Sequence, residues 1–531
     1  TITVTPTFTN GTQSCPGPVE QFTITVNPSS AVNFSPANQS ICSGDTSNLV
    51  TLSSSTTGAS FNWTANQPAG ISGVTTSGFG TIPAQTLVNT TNTPITVTYT
   101  AYATTSGAVA CQGNPFTYTI TVKPKPSITE DLYSSTCSGD SFAISPSNSS
   151  LNSIPVGTSY SWSAPVVTGG ITGGLSATNQ TSISGILVNP TNTVQTATYS
   201  VTPIFNGCPG TAFPIEISLN PKPVIADVTL AALCSESTFS VSPVNAGTII
   251  VPNGTTYTWT VSSNANITGQ ANSSVPGITS ISQTLTNLTN IDQNISYTVT
   301  PTSGATGSCV GAPFTITITL STKPFVTNST AVICSGKDFS VTPSNGNESI
   351  VPSGTSYTWA NPISTPLGAV TGASAQTTAV TLISQNLSNN TNAPATVEYT
   401  VTPTAGACIG NTFTLTVTVN PIGQVNSITN QFLCTGTSTN KVTFSTNNIG
   451  GTTTYAWTNS NPTIGLAASG NGDINSFMAS NSTANPIIAT ITVTPTFTNG
   501  TQSCPGPVEQ FTITVNPSSA VNFSPANQSI C

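Results

Sequence analysis

Hydrophobic and polar residues alternate along the stretch 397–421, VEYTVTPTAGACIGNTFTLTVTVNP. The apolar positions are every second residue, first in Val397, Tyr399 and Val401, and after a Gly- and Cys-containing turn in Phe413, Leu415, Val417 and Val419. A period of two over this length is typical of β-strands that bury one face. The stretch therefore predicts two antiparallel strands joined by a hairpin and ended by an Asn-Pro pair.

This two-strand pattern recurs along the chain. The prolines that end it fall at steps of 96, 97, 103, 97 and 96 residues, at Pro28, Pro124, Pro221, Pro324, Pro421 and Pro517. An aromatic-x-Trp strand recurs with a similar period, ending at Trp63, Trp162, Trp259, Trp359 and Trp457. Two independent markers with one period predict a tandem array of about 97-residue modules.

The markers divide the chain into five complete modules and two partial ones. We number the complete modules one to five: 28–123, 124–220, 221–322, 323–420 and 421–516. Residues 1–27 are predicted to be the last two strands of a preceding module, and 517–531 the first strand of a following one. Residues 1–42 are also identical to 490–531, an offset of 489 residues. We infer a recent duplication of the five-module block and a longer protein with a 489-residue repeat.

Each module predicts an all-β, seven-stranded immunoglobulin-like sandwich. In module two, strand A is expected at 126–135, and strands B, C, E, F and G follow with turn residues between them. Seven short strands in about 97 residues, with one buried Trp on strand C, match that fold class. With strands of about 8–10 residues at about 3.3 Å each, plus loops, one module should span about 35–45 Å. The five modules are expected to form an elongated rod or filament.

Composition excludes several classes of function. Charged residues make up 4% of the chain, with six Lys, no Arg, no His and a net charge of −8. Without a basic stripe, neither nucleic acid nor an anionic membrane is an expected partner. No apolar run reaches the roughly 18 residues of a spanning helix, so membrane insertion is not expected. A Ser-His-Asp triad needs an imidazole, which this sequence lacks. We expect no catalytic residues, no bound metal and no cofactor.

The twelve cysteines occupy two positions in the repeat. One set follows strand A (Cys42, Cys137, Cys234, Cys334, Cys434 and Cys531), and the other lies in the F–G hairpin (Cys15, Cys111, Cys208, Cys309, Cys408 and Cys504). An even, periodic set predicts disulfides formed in an oxidising compartment. Zinc is disfavoured because there is no CxxC pair and no His.

Two disulfide pairings remain open. Bridging within a module is disfavoured, because the A–B turn and the F–G hairpin of a sandwich lie at opposite ends, about 25 Å apart, and a bridge needs Cα atoms within about 7 Å. In a head-to-tail rod the pairs are Cys42–Cys208, Cys137–Cys309, Cys234–Cys408 and Cys334–Cys504. If the linkers fold back, the nearly constant spacing of the two cysteines on either side of each linker gives Cys15–Cys42, Cys111–Cys137 and so on. The Pro-rich linkers favour the rod.

The modules of the chain follow the consensus motifs CSGxxF, VPxGTxYTW, NxTN, YTVTP, CxG and TVTVNPxP. These motifs resemble the PKD-like, immunoglobulin-like repeats of giant surface proteins of gliding and other Bacteroidota. The resemblance covers all five modules. It implies export by the type IX secretion system and a role as an extracellular, cell-surface adhesin of the gliding-motility type or as a surface fibre. Ile491 departs from the pattern, since it replaces the Tyr of YTVTP.

Other candidate sites have simpler structural explanations. Asp45, Asp140 and Asp338 follow the CSG turn, but one Asp per turn is far from the six to eight oxygens that Ca²⁺ prefers. We expect these residues to close the turn. The five Trp are predicted to pack in the cores rather than to stack on glycans. Matches to the N-glycosylation sequon, such as Asn253-Gly-Thr and Asn287-Leu-Thr, are expected by chance in so Asn-, Ser- and Thr-rich a chain.

The pattern therefore favours a non-enzymatic stalk of a secreted bacterial surface adhesin or extracellular filament, which gives length, stiffness and resistance to force. Expected partners are the neighbouring modules of the same long chain, lateral copies in a filament, and a surface or glycan ligand at a tip outside this sequence. The alternative is a polysaccharide-binding module array attached to an enzyme elsewhere in the protein. That array would need an aromatic or carboxylate cluster repeated on one surface.

Overall fold

The computed structural model describes residues 1–27, 29–107, 109–273 and 275–519. The chain is all-β there, apart from one turn of 3-10 helix at Pro462–Ile464, and the expected fold class is confirmed. Pro28, Cys531 and most of the predicted first strand at 517–531 lie outside these residues. The preceding partial module contributes four short strands: β1 (Ile2–Val4), β2 (Thr7–Asn10), β3 (Gln13–Pro16) and β4 (Glu20–Phe22).

Modules one and two hold the next twenty strands. Those of module one are β5 (Asn33–Ser35), β6 (Gln39–Cys42), β7 (Thr51–Ser53), β8 (Ser60–Ala65), β9 (Ile71–Ser72), β10 (Ser77–Phe79), β11 (Val88–Asn89), β12 (Ile95–Thr104) and β13 (Phe116–Lys123). Those of module two are β14 (Ser127–Ile128), β15 (Leu132–Cys137), β16 (Ser141–Ile144), β17 (Asn152–Ser153), β18 (Ser159–Trp162), β19 (Val166–Val167), β20 (Ala177–Gln180), β21 (Ile183–Ile186), β22 (Gln195–Phe205), β23 (Cys208–Pro209) and β24 (Phe213–Asn220).

Modules three to five hold the remaining strands. Module three contains β25 (Val228–Thr229), β26 (Leu233–Cys234), β27 (Ser237–Val241), β28 (Thr256–Val261), β29 (Ile267–Thr268), β30 (Ile281–Asn287), β31 (Gln293–Thr302) and β32 (Phe314–Ser321). Module four contains β33 (Ser329–Cys334), β34 (Lys337–Val341), β35 (Ser356–Trp359), β36 (Ile363–Thr365), β37 (Val370–Thr371), β38 (Gln376–Val380), β39 (Ile383–Asn389), β40 (Ala395–Ala405), β41 (Cys408–Ile409) and β42 (Phe413–Asn420). Module five contains β43 (Gln431–Cys434), β44 (Thr452–Asn459), β45 (Ser469–Asn471), β46 (Ile487–Asn499), β47 (Gln502–Pro505) and β48 (Glu509–Asn516).

Modules three and four each contain one larger and one smaller open sheet. In module four the larger sheet has the order β33-β42-β40-β35-β38, and the smaller one β34-β39-β37. The long antiparallel pair β40–β42 is the hairpin that the alternating pattern predicted. Its inward residues are buried, and Val397, Tyr399 and Val401 have no exposed surface. Each of the five complete modules has its own hydrophobic core of this kind within the described residues.

Strand A departs from the prediction, because it is divided in two. In module two the short β14 pairs with β17, whereas β15 joins the other sheet and runs parallel to β24. Between them, the side-chain oxygen of Asn152 accepts hydrogen bonds from the backbone N–H groups of Thr129 and Glu130. The break lets one segment pair with two sheets: with β17 in a separate two-stranded sheet, and with the edge of the larger sheet at β24. It also brings the cysteine after strand A to the end of the module where the last strand finishes.

Candidate functional site at the joints between modules

The disulfides lie at the joints between successive modules. Among the residues that the structure describes, four bridges form, each from the cysteine after strand A in one module to the hairpin cysteine of the next: Cys42–Cys208, Cys137–Cys309, Cys234–Cys408 and Cys334–Cys504. Their Cα–Cα distances are 5.5, 5.7, 5.4 and 5.5 Å. This is the rod pairing, and the fold-back pairing does not form, since Cys42 and Cys137 are bridged elsewhere. Each bridge therefore joins two neighbouring modules covalently.

Strand register explains why the cysteines reach the joint. Cys137 is the last residue of β15 and is paired in parallel register with Asn220, the last residue of β24. The hairpin cysteine lies at the opposite end of its own module, where Cys208 faces Phe205 across the turn. Parallel pairing of the first and last strands thus places one cysteine at each end. When modules follow one another in line, the end that carries the first cysteine of one module meets the end that carries the hairpin cysteine of the next.

A buried asparagine fixes the turn that follows the first cysteine. In module three, the Nδ2 of Asn287 donates to the carbonyl oxygens of Ile291 and Leu320, and its Oδ1 accepts from the N–H and hydroxyl of Thr289. Its backbone N–H donates to the hydroxyl of Ser235, the residue after Cys234. The same arrangement recurs at the asparagines of the other modules: Asn89, Asn189, Asn389 and Asn481. One side chain ties the E–F turn, the last strand and the bridge-bearing turn together.

The sequence showed Asn89, Asn189, Asn287 and Asn389 as the first residues of the recurring NxTN motif, but it did not predict that they are buried and hydrogen-bonded. Asn287 begins one of the sequons that we expected by chance, yet it is only 3% exposed and its amide is fully hydrogen-bonded. A glycan could not be attached there without opening the turn. The signal that could have found the residue is its recurrence with the same period as the tryptophans. By contrast, Asn253 of the other sequon lies on the surface.

Lysines of the linkers form ion pairs across three of the joints. Lys125 meets Asp45 at 2.8 Å, Lys222 meets Asp140 at 3.1 Å, and Lys323 meets Glu236 at 2.6 Å. Each carboxylate belongs to the turn after the first cysteine, and each lysine to the start of the next module. These side chains are partly exposed, so each pair contributes at most about 1 kcal/mol. In the part of the chain that the structure describes, no three metal-ligating side chains cluster, and the turn carboxylates of Asp45 and Asp140 contact lysine instead.

The joint between modules four and five uses amides. The linker after Pro421 has no lysine, and the Nδ2 of Asn499 donates to the Oδ1 of Asn420 at 2.9 Å. Gln424 donates to the side chain of Asn392, also at 2.9 Å. The disulfide is thus the constant element of the four joints, and the polar contacts around it vary.

Three cysteines are unbridged among the residues described: Cys15, Cys111 and Cys434. Cys15 and Cys111 are hairpin cysteines of the preceding partial module and module one, while Cys434 follows strand A in module five. By the rule that holds at the four joints, none of the three has its partner among the cysteines of this sequence. Cys531 falls outside the described residues.

All five tryptophans are buried, with exposures of 2 to 7%: Trp63, Trp162, Trp259, Trp359 and Trp457. The indole N–H of four of them donates to a backbone carbonyl, as Trp162 does to Leu175. These rings are therefore not available to stack on a glycan. Exposed aromatic residues such as Phe79, Tyr133 and Phe432 occupy different positions in their modules, and so form no repeated surface.

A model of the PKD-like domain matches the chain four times, at residues 39–126, 134–223, 231–324 and 331–423. Together these matches cover more than half of the chain. The chain belongs to the PKD-like domain family. Tandem PKD-like domains are typically non-catalytic structural or binding modules, which agrees with a structural repeat region. No curated protein sequence matches this PKD-like array.

Solved structures of tandem adhesion domains align with the PKD-like array at low similarity. Sidekick-1 immunoglobulin domains 1–5 are 10% identical, with 93% of this chain and 100% of that chain covered and a TM-score of 0.22. The eight N-terminal Ig domains of Down Syndrome Cell Adhesion Molecule are 8% identical, with 96% and 73% covered and a TM-score of 0.19. Mouse Cadherin-23 EC22-24 is 11% identical, with 55% and 99% covered and a TM-score of 0.20. Values this low support no conclusion about the function of this chain.

Proposed function

We propose that this chain is part of the non-enzymatic stalk of a secreted bacterial cell-surface adhesin or extracellular filament, in which it supplies length and resistance to force. The observation that supports the proposal is the set of four module-to-module disulfides. A linear array of modules otherwise depends on nearest-neighbour contacts alone. Here each contact is reinforced by a covalent bond.

The bridges create two covalent paths along the array. The first passes from Cys42 through its bridge to Cys208, along the segment 208–234 to Cys234, and through the next bridge to Cys408. The second passes from Cys137 to Cys309, along the segment 309–334 to Cys334, and on to Cys504. Along each path, one connecting segment of backbone therefore spans two modules.

With modules of the length expected from their strands, these connecting segments would be close to full extension. The segment from Cys208 to Cys234 consists of β24, the linker and the first strands of module three. Fully extended, its roughly 26 residues reach about 90 Å, and two modules of the expected size span about 70–90 Å. Tension applied between two points of the same path therefore meets a nearly taut covalent connection before any module has to unfold. An adhesive stalk under load needs this property, whereas an enzyme does not.

The same bonds support the proposed location. Four disulfides indicate an oxidising, extracellular environment. Within the described residues, no helix is long and apolar enough to cross a membrane. The resemblance to gliding-motility adhesins supports the further proposal of type IX export and attachment to the surface of a Bacteroidota cell. Labelling intact cells with antibody against the array tests the location, and signal only after lysis would contradict it.

Stretching of single molecules tests the mechanical role. The shortest covalent route from Cys42 to Cys504 crosses three bridges and 96 backbone residues, 71 from Cys208 back to Cys137 and 25 from Cys309 to Cys334. The backbone alone has 462 residues between them. Oxidised protein should stop extending at about 320–350 Å between these points, and reduced protein at about 1,500–1,700 Å. Equal limits before and after reduction would contradict the proposal.

A further inference from the structure

The joint between two successive 489-residue blocks is partly present in this structure. Residues 1–27 are an exact copy of 490–516, the last two strands of module five, and module one follows them directly. Asn27 is therefore the copy of Asn516. In module five, Asn516 ends β48 and is paired in parallel register with Cys434. The Cys434 of a preceding block would therefore lie beside Asn27.

The unbridged Cys111 lies at that place. The Nδ2 of Asn27 is 3.6 Å from the Sγ of Cys111 and 3.3 Å from the carbonyl oxygen of Val109, so the hairpin of module one sits against the end of the preceding strand. The position of this contact does not depend on which cysteines pair or on the spacing of the cysteines in the sequence. It is an independent observation of how the block-to-block joint is arranged.

Two bridged joints show the same contact. Asn220 is the register partner of Cys137, and its Nδ2 lies against Gly307 in the hairpin that carries Cys309. A Cβ on Gly307 would lie only 2.7 Å from that nitrogen.

In the next case, Asn420 is the register partner of Cys334 and accepts a hydrogen bond from Asn499, in the hairpin that carries Cys504. At both joints, the hairpin that meets the strand-ending asparagine is bridged to the cysteine beside that asparagine.

We propose that Cys434 of one block forms a disulfide with Cys111 of the following block in the same chain. This deepens the proposed stalk function and rests on it, because it takes the blocks to follow one another in one polypeptide. With the 489-residue offset the two cysteines are 166 residues apart, the same separation as Cys42 and Cys208. Cys15 is the copy of Cys504, so its bridge follows from the one already described for Cys504. Both covalent paths then cross every block boundary without a gap.

The bond forms by thiol–disulfide exchange with an external disulfide, either of a protein oxidant or of a small molecule. The thiolate of one cysteine attacks the external disulfide and releases one thiol. The second cysteine then attacks the mixed disulfide and releases the other. The two cysteines lose two electrons and two protons in total, and the external disulfide leaves as two thiols.

Peptide mapping of the native protein tests the proposal. The protein is isolated without reductant, its free thiols are alkylated in denaturant at acidic pH, and the digest is compared before and after reduction. We expect a peptide with Cys434 linked to one with Cys111, at about one link per block, in protein that migrates as a single chain on non-reducing gels. Alkylation of both cysteines, a link of Cys111 to any other cysteine, or a ladder of disulfide-linked chains would overturn the proposal.

A variant separates this joint from the others. Cys434→Ser should convert one Cys111 per substituted block into an alkylated thiol and leave the four described bridges intact, whereas the neighbouring control Thr437→Ser should leave the link in place. If the four bridges map as described and Cys434 and Cys111 are both free, the block-to-block bond is wrong and the stalk function keeps its support. If the four bridges are themselves missing, the stalk proposal loses its main observation.

Discussion

At the level of single residues, the polar side chains that shape a module form hydrogen bonds with all of their donor and acceptor groups. Asn287 illustrates this, because its amide and backbone satisfy groups from three separate segments. The sequence showed an Asn-x-Thr match but not which matches are buried, since the sequon looks identical at Asn253 and Asn287. Burial is set by where the E–F turn meets the last strand, and a pattern of three residues does not contain that information.

Asn287→Ala should destabilise module three by about 1–3 kcal/mol, because the carbonyl and hydroxyl groups that it satisfies would be left buried without partners. Hydrogen exchange measured peptide by peptide reports each module separately and would show faster exchange confined to 221–322. Asn253→Ala is the matched control, since that sequon asparagine is exposed and should change exchange little. Equal effects of the two substitutions would mean that the buried network adds no stability.

Buried tyrosines should make the array sensitive to strong alkali. Burial raises the pKa of Tyr297 to about 12, and it raises the pKa of Tyr399 as well. Because a tyrosine in the unfolded chain ionises near pH 10, the stabilisation is complete below that pH. It is lost as the pH rises from about 10 towards the folded-state pKa, by up to about 1.4 kcal/mol per pH unit for each such tyrosine.

The unfolding of module three in denaturant can be monitored by hydrogen exchange or by proteolysis, with free thiols blocked. The free energy of unfolding should be constant up to about pH 9.5 and should fall steeply above it. Tyr297→Phe should reduce the slope. Tyr133→Phe serves as the control, because Tyr133 is 83% exposed. A slope unchanged by Tyr297→Phe would assign the alkaline loss to other groups.

At the level of strands, alternation predicted the F and G strands because both lie in the middle of a sheet with one face in the core. Strand A was predicted as one element and is two, since the break depends on hydrogen bonds from Thr129 and Glu130 to the side chain of Asn152 in β17, a strand that is distant in the sequence. The strand next to the tryptophan also varies. Gly78 and Gly470 face Trp63 and Trp457 in regular register, whereas in modules two and four a register shift brings Ala177 and Gln376 opposite Trp162 and Trp359.

Gly470→Ala should therefore disturb module five. A Cβ at this position would lie 2.3 Å from the Cζ2 atom of Trp457, so either the indole or the edge strand has to move. Overpacking of this kind costs about 1–3 kcal/mol. Faster hydrogen exchange in β44 and β45 would show the change, and Ser469→Ala on the exposed side is the control. Unaltered exchange would mean that β45 shifts register at no cost, as modules two and four already do.

At the level of the whole molecule, the repeat period and the cysteine positions predicted bridges but left two pairings open. Spacing alone could not decide between them, because the separation of the two cysteines across each linker is the same in a rod and in a folded-back chain. The parallel pairing of β15 with β24 is what places the first cysteine at the far end of its module. That pairing joins strands from the two ends of the module sequence, and local patterns do not reveal it.

Because the two covalent paths overlap, loss of one of the two inner bridges, Cys137–Cys309 or Cys234–Cys408, should change extensibility very little. Without the Cys234–Cys408 bridge, in a Cys234→Ser/Cys408→Ser variant, the shortest route between Cys42 and Cys504 still has 96 backbone residues. Removing the Cys137–Cys309 bridge as well leaves only the outer two. The route then includes all 126 residues from Cys208 to Cys334.

The single-bridge variant should therefore reach the same maximum extension as the unmodified chain, and the double variant should extend about 100–110 Å further. Single-molecule stretching under oxidising conditions resolves this difference, with the single-bridge variant as the matched control. A gain of length in the single variant would mean that the two paths do not share the load. Equal lengths in all three proteins would mean that non-covalent contacts, rather than the disulfides, limit extension of the array.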